Sequence, residues 1–124
     1  MDNEDLKESL EYLEEVLFEY ERLVMNIGKN GLSASLLMNY RDEVQELMTE
    51  LSMQDIDLRD QWRKVVTLDN VLRKSAQQFV NEVGHQNFKQ YQIINDPPRE
   101  HWWWYLNRTT AAPVEKKDWK FWKK

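Results

Sequence analysis

LKESLEYLEEVLFEYERLVMNI, residues 6–27, decides the fold of this chain. Its apolar residues recur in alternating steps of four and three, at Leu6, Leu10, Leu13, Leu17, Tyr20, Val24 and Ile27. That spacing is typical of one face of an α-helix, and such a face must be covered by other apolar side chains. Val16 and Leu23 widen the apolar stripe, which favours a helical bundle over a strict two-stranded coiled coil.

Two later segments carry the same spacing and are expected to cover this helix. One has its stripe at Leu37, Tyr40, Val44, Leu47 and Leu51, and the other at Leu58, Trp62, Val65, Asp69, Leu72, Ala76, Phe79 and Val83. We therefore predict helices over residues 3–27, 34–52 and 58–83. The short connection 29–31 makes the first two antiparallel. The most buried side chains should include Leu13, Leu17, Val44, Leu47, Leu72 and Phe79.

Asp69 occupies a position of the third stripe that should be apolar. In one interpretation the helix is rotated so that Leu68 or Val66 enters the core and Asp69 faces solvent, with Arg73 one turn later. In the other, Asp69 is a buried carboxylate with a basic partner that fixes the register of the helices.

Residues 85–95 fit either a short helix or a strand, and we favour the helix. Asp96-Pro97-Pro98 then ends the regular structure. The predicted fold is all-α: a long antiparallel hairpin plus a third helix, completed within one chain or through a dimer. Residues 1–95 would form this bundle, and residues 96–124 an irregular tail rich in aromatic and basic residues.

The composition excludes several classes of protein. There is no cysteine, so disulfides, thiol catalysis and zinc–thiolate sites are excluded. No signal peptide and no apolar run long enough to span a bilayer are present. We therefore expect a cytoplasmic protein, either free or peripheral to the inner face of a membrane.

Charge is divided unevenly along the chain. Residues 1–57 carry a net −11 and residues 58–124 a net +6. This division either helps the acidic hairpin to pair with a more basic third helix, or provides two surfaces of opposite sign for different partners.

The last residues carry the main functional signal, because five of the six tryptophans follow residue 101. On a helical wheel of the last nine residues, the lysines cover one arc, and Trp119, Phe121 and Trp122 cover the other with Asp118 among them. Such a segment suits an anionic membrane surface and could equally stack on single-stranded nucleic acid. Alternatively, the first tryptophans cap the open end of the bundle. The residues predicted to bind a membrane or a partner are Trp102, Trp103, Trp104, Tyr105, Lys116, Lys117, Trp119, Lys120, Phe121, Trp122, Lys123 and Lys124.

Pro97-Pro98, the tryptophans that follow, and Trp119-x-x-Trp122 resemble a segment of certain uncharacterised cyanobacterial-type membrane proteins. In those proteins a Pro-Pro and Trp-rich stretch lies in the cytosol just before the first membrane span. The resemblance covers residues 97–122 and implies a position near a membrane, but no activity. This chain departs from the pattern because Lys123-Lys124 follows, with no span.

No motif indicates an enzyme. Glu82-x-x-His85 has the spacing of a di-iron ligand pair, but it occurs once and Gly84 interrupts it. We predict no catalytic residue, no metal, no cofactor and no small-molecule substrate. The expected partners are another protein or a second copy, bound through apolar helix faces that include Phe18 and Met25. An anionic membrane surface comes next, and nucleic acid is less favoured because the hairpin is acidic.

Overall fold

A computed structural model describes residues 2–29 and 34–110 of the chain. Helices follow one another throughout this part, and none of the described residues forms a strand. The all-α prediction is therefore confirmed. The helices are α1 (Asn3–Met25), α2 (Ala34–Ser52), α3 (Arg59–Lys74), α4 (Ala76–Val83), α5 (His85–Asn95) and a C-terminal 3-10 segment (Trp102–Arg108).

The first helix begins at Asn3, as predicted, and ends at Met25, two residues before the predicted end. Asp2 is the N-cap, and its carboxylate accepts a hydrogen bond from the backbone N–H of Asp5 at 2.8 Å. After Met25 the chain turns, and Gly28 takes a positive φ of 91°. The N–H of Gly28 donates to the carboxylate of Glu82 at 2.6 Å, which ties this turn to α4.

The core lies where the apolar stripe of α1 meets the other helices. Five of the six side chains predicted to be most buried are fully buried, whereas Leu47 is only partly buried. Phe18, on the other side of α1, is 60 % exposed, and Met25 is exposed as well. The fully buried members of the predicted set are Leu13, Leu17, Val44, Leu72 and Phe79.

The face that α2 buries is rotated relative to the predicted one. Tyr40 and Leu47 are partly buried and Leu36 is exposed. The buried stripe instead includes Leu37, Arg41, Val44, Met48 and Leu51. A basic residue therefore occupies the centre of an otherwise apolar face.

The third predicted helix is divided in two at Ser75, between α3 and α4. Leu68 and Asp69 are both buried, so the prediction that Asp69 faces solvent when Leu68 enters the core is wrong. Trp62 is 38 % exposed, so its predicted place in the core is also wrong, because α3 buries the face that carries Val65, Leu68 and Leu72. Gly84 ends α4 with a φ of 98°, as predicted.

Polar contacts on the surface follow the packing of α1 against its neighbours. The hydroxyl of Tyr12 donates to Glu43 of α2 at 2.7 Å. On the α3 side, Lys64 lies 3.2 Å from Glu21. α1 thus contacts both α2 and α3 along its length.

Residues 85–95 form a helix, as predicted, and Asp96 follows with a φ of 43°. The core continues beyond this helix, because Trp103, Trp104 and Leu106 belong to the same buried cluster as Phe88. The expected boundary between bundle and tail at residues 95/96 is therefore not an edge of the packed core. None of the helices in the described part of the chain has both the length and the apolar composition needed to cross a bilayer.

Candidate functional site

The 3-10 segment is held on the body of the protein by one carboxylate of α2, that of Asp42. The indole N–H of Trp103 donates to its Oδ1 at 2.7 Å. The indole N–H of Trp104 lies 2.9 and 3.0 Å from Oδ1 and Oδ2. Nδ1 of His101 lies 2.9 Å from Oδ1, and the imidazole stacks on Trp103 with ring centroids 4.6 Å apart. Three side chains therefore share one acceptor group.

This arrangement corrects the prediction for two of the tryptophans. Trp103 and Trp104 are each 1 % exposed, so they do not project from the protein as an anchoring wedge. Burial is favourable because the rings pack in the core while both indole N–H groups keep a charged acceptor. The alternative, in which these tryptophans complete the bundle, applies to this pair.

A buried ion pair lies next to this carboxylate in the sequence. Arg41 donates from Nε and Nη2 to the two carboxylate oxygens of Asp69, at 2.9 and 3.0 Å. Arg41 is 4 % exposed and Asp69 6 %. The hydroxyl of Tyr20 donates to Asp69 at 2.7 Å. The hypothesis of a buried carboxylate with a basic partner is therefore confirmed, and the network joins α1, α2 and α3.

The environment of Tyr20 keeps its hydroxyl protonated. Burial raises the pKa of Tyr20 far above its usual value, and the negative charge and hydrogen bond of Asp69 raise the pKa further. Arg41 acts in the opposite direction, but less strongly. Tyr20 is therefore a stable hydrogen-bond donor in this network and not a candidate acid or base.

Arg41 also connects the interior network to the C-terminal segment. Its guanidinium lies 4.1 Å from the ring centroid of Trp103, a cation–π distance. A continuous chain of contacts thus runs from Tyr20 through Asp69 and Arg41 to Trp103 and Asp42. Because it links three helices and the 3-10 segment, it fixes the position from which the rest of the chain continues.

The two half-buried aromatic residues of the segment each carry an arginine. The guanidinium of Arg73 lies 4.0 Å from the ring centroid of Trp102, and that of Arg108 lies 4.7 Å from that of Tyr105. The Tyr105 hydroxyl donates to the carbonyl of Pro97. Trp102 and Tyr105 keep part of their surface accessible, and an arginine packs on the ring of each.

Exposed cations border the segment on both sides. A cleft of about 590 Å³ on the α3–α4 side is lined by Arg73 and Lys74. A second cleft of about 490 Å³ on the α5 side is lined by Lys89, Arg99 and Arg108, and also by Asp96. Within the described residues, none of these five cations is paired with a carboxylate. The surface around the segment is therefore suited to anions.

The described residues contain no cluster that could hold a metal ion, since no three or more of their His, Asp and Glu side chains are grouped for it. Glu82 accepts a hydrogen bond from the Gly28 backbone. Nε2 of His85 is buried without a hydrogen-bond partner. This pair therefore gives no structural support to the di-iron spacing of the sequence.

The remaining predicted partner-binding residues, from Lys116 to Lys124, lie outside the described residues. Conversely, Arg41 and Asp42, on which the observed cluster depends, were not predicted from the sequence. One signal was present: Leu37, Arg41, Val44, Met48 and Leu51 have a four-three spacing that puts a cation on an apolar face, opposite a third helix with Asp69 on its own apolar face. Two opposite charges in apolar stripes predict a buried pair.

The chain matches no protein-family model, no curated protein and no solved structure.

Proposed function

We propose that this protein is a non-enzymatic interaction module, in which an antiparallel helical hairpin and a third helix support a C-terminal segment that docks on an anionic membrane surface. The observation that carries the proposal is the set of exposed, unpaired cations around the 3-10 segment, together with the lysines that follow. They are Arg73, Lys74, Lys89, Arg99 and Arg108 in the described residues, and Lys116, Lys117, Lys120, Lys123 and Lys124 beyond them.

The Asp42 cluster supports the proposal because it fixes the chain up to residue 108. The sequence from residue 111 onwards is therefore joined to the molecule at Thr110, beside the exposed Arg73 and Lys74. Each lysine near an anionic surface contributes on the order of 1 kcal/mol, and indole rings favour the interface. Trp119, Phe121 and Trp122 would supply the apolar contact, in place of the buried Trp103 and Trp104.

The proposal is tested by co-sedimentation of the full chain with vesicles, either zwitterionic or containing an anionic phospholipid. We expect binding only to the anionic vesicles, and weaker binding at high salt because salt screens the lysine attraction. Trp119→Ala with Trp122→Ala should reduce binding, whereas Trp62→Ala, which removes an indole far along the chain, should not. Lys120→Gln with Lys123→Gln should also reduce binding, compared with Lys7→Gln and Lys29→Gln as controls of equal charge.

A role on single-stranded nucleic acid is the second candidate, favoured by the cleft that combines Lys89, Arg99 and Arg108 with Tyr105. The acidic α1 and α2 oppose it, because phosphate contacts need a basic surface. A gel shift with a single-stranded oligonucleotide, run beside the vesicles, separates the two candidates. Binding to the oligonucleotide alone would replace the membrane proposal, and equal binding to zwitterionic and anionic vesicles would reject it.

A further inference from the structure

The cleft lined by Arg73 and Lys74 has the size and the walls of a small-molecule site. It lies between the junction of α3 with α4 and the 3-10 segment, and its volume of about 590 Å³ falls in the range of ligand pockets. Ala76, Trp102 and Leu106 supply an apolar wall. An apolar ligand surface would be removed from water against this wall.

Among the described residues, the charged side chains that line this cleft are all basic. Arg73 and Lys74 line it, and no acidic residue does among the described residues. Both cations lie in the last turn of α3, where the helix dipole favours positive charge even without a ligand. The helix dipole explains why two cations lie at this end of α3. It does not explain why an apolar wall lies beside them. Together the two features select a ligand with an anionic group and an apolar body.

The guanidinium of Arg73 lies against the indole of Trp102. Its central carbon is 4.0 Å from the ring centroid, and no carboxylate of the described residues pairs with Arg73. A planar fork of this kind matches a carboxylate, which accepts two parallel hydrogen bonds. An ammonium group would lack this geometric preference.

A second observation points to a missing hydrogen-bond partner in the same cleft. Oγ1 of Thr110, which lines the cleft, is buried and has no hydrogen-bond partner. Buried hydroxyl groups are nearly always hydrogen-bonded, and an unpaired one calls for an explanation. A ligand oxygen in the cleft would supply the partner once the Thr110 side chain rotates towards it, because in the present rotamer the oxygen itself is buried.

We propose that this cleft binds a small aromatic carboxylate, with its carboxylate on Arg73 and Lys74 and its ring against Trp102 and Leu106. The site shares Arg73 and Lys74 with the proposed membrane contact, but its ligand is a soluble small molecule and its binding does not require a membrane. It is compatible with the expectation that the chain has no small-molecule substrate, because the ligand would be bound and not transformed.

The test is a titration of the full chain with 2-naphthoate, followed by calorimetry and by the indole N–H signals in NMR spectra. We expect a dissociation constant below a millimolar and a shift of the Trp102 signal, which is assigned with Trp102→Phe. Arg73→Gln should weaken binding about tenfold or more, as expected for the loss of a charged hydrogen bond. Arg63→Gln, which removes an equal charge elsewhere on α3, should leave binding unchanged.

Two further probes separate the parts of the ligand. 2-Naphthylmethanol keeps the ring without the charge, and inorganic phosphate keeps a charge without the ring, so both should bind more weakly than 2-naphthoate. The proposal is overturned if Arg73→Gln, folded by its circular dichroism spectrum, binds 2-naphthoate as well as the parent protein does. Equal binding of the neutral alcohol, or a shift confined to indole signals other than that of Trp102, would overturn it too.

Discussion

Arg41 and Asp42 are adjacent in α2, yet they stabilise different parts of the molecule. Arg41 and its partner Asp69 are both almost fully buried between the helices. Asp42 lies at the edge, with 26 % of its side chain exposed, and holds the 3-10 segment. If the interior pair is broken, the charge that remains stays out of contact with water. If the edge cluster is broken, water can reach the remaining groups. Loss of a charged contact should therefore lower the free energy of unfolding much more in the interior pair than in the edge cluster.

The largest effect is expected for Arg41→Ala. It leaves the Asp69 carboxylate buried without a cation, so the free energy of unfolding should fall by roughly 3–5 kcal/mol in urea titrations. Arg63→Ala removes an exposed arginine 3.5 Å from Asp60 and should cost well under about 1 kcal/mol.

The same network can be replaced as a unit. Arg41→Met combined with Asp69→Leu and Tyr20→Phe removes the three buried polar side chains and leaves the partly buried Gln45, which accepts from Arg41 at 3.2 Å. The combined variant should therefore recover most of the stability lost by Arg41→Ala. If the triple variant is as unstable as Arg41→Ala, packing and not the unpaired charge explains the loss.

Leu17→Ala measures how tightly the interior is packed without any charge. Because Leu17 is completely buried, its truncation should lower the free energy of unfolding by roughly 2–5 kcal/mol. Phe18→Ala, at the adjacent exposed position, should change it by less than about 0.5 kcal/mol. Similar losses for the two variants would mean that Phe18 is covered in solution, for example by a second copy of the chain.

Asp42→Ala tests the edge cluster. Two indole N–H groups lose their acceptor, but water can reach the edge, so we expect a loss of roughly 1–3 kcal/mol. Tryptophan emission should shift to the red as Trp103 and Trp104 become solvated. Glu43→Ala is the matched control, since within the described part of the chain that carboxylate accepts a hydrogen bond from the exposed Tyr12 hydroxyl alone. A loss larger than that of Arg41→Ala would reverse the proposed difference between the two sites.

The smallest effect concerns the titration of Tyr20. Its pKa is raised in the folded protein, so the stability it contributes is fully present below the unfolded value near 10 and is lost as the pH rises above it. Absorbance of tyrosinate at 295 nm should show no Tyr20 ionisation before alkaline unfolding. Tyr20→Phe should therefore leave the folded titration amplitude unchanged and lower the unfolded amplitude by one of five tyrosines. A lower folded amplitude would show that water reaches Tyr20.

The sequence predicts the helices better than it predicts the site. A stripe such as that of α1 depends only on local spacing, and it correctly identifies Leu13 and Leu17. The faces of α2 and α3 are less well predicted because each contains a charged residue whose burial depends on its partner in the other helix. Periodicity within one helix cannot show that Arg41 meets Asp69.

The aromatic segment illustrates a second limit. The composition shows that this segment is unusually rich in tryptophan. It does not show that Trp103 and Trp104 are buried while Trp102 remains half exposed. That difference depends on the position of Asp42, about sixty residues earlier in the chain. Trp103 and Trp104 reach this carboxylate, whereas Trp102 is turned towards Arg73.

The distance in sequence between Asp42 and these tryptophans also determines the order in which contacts can form during synthesis. The contact between Asp42 and Trp104 spans 62 residues, whereas α1 and α2 are joined by a short connection. Ribosomes release the chain from its N-terminus, and local contacts form before distant ones because their loop-closure entropy is smaller. The Asp42 carboxylate therefore remains hydrated until most of the helices have left the ribosome. A nascent chain gains its last anchoring hydrogen bonds only when the tryptophans leave the exit tunnel.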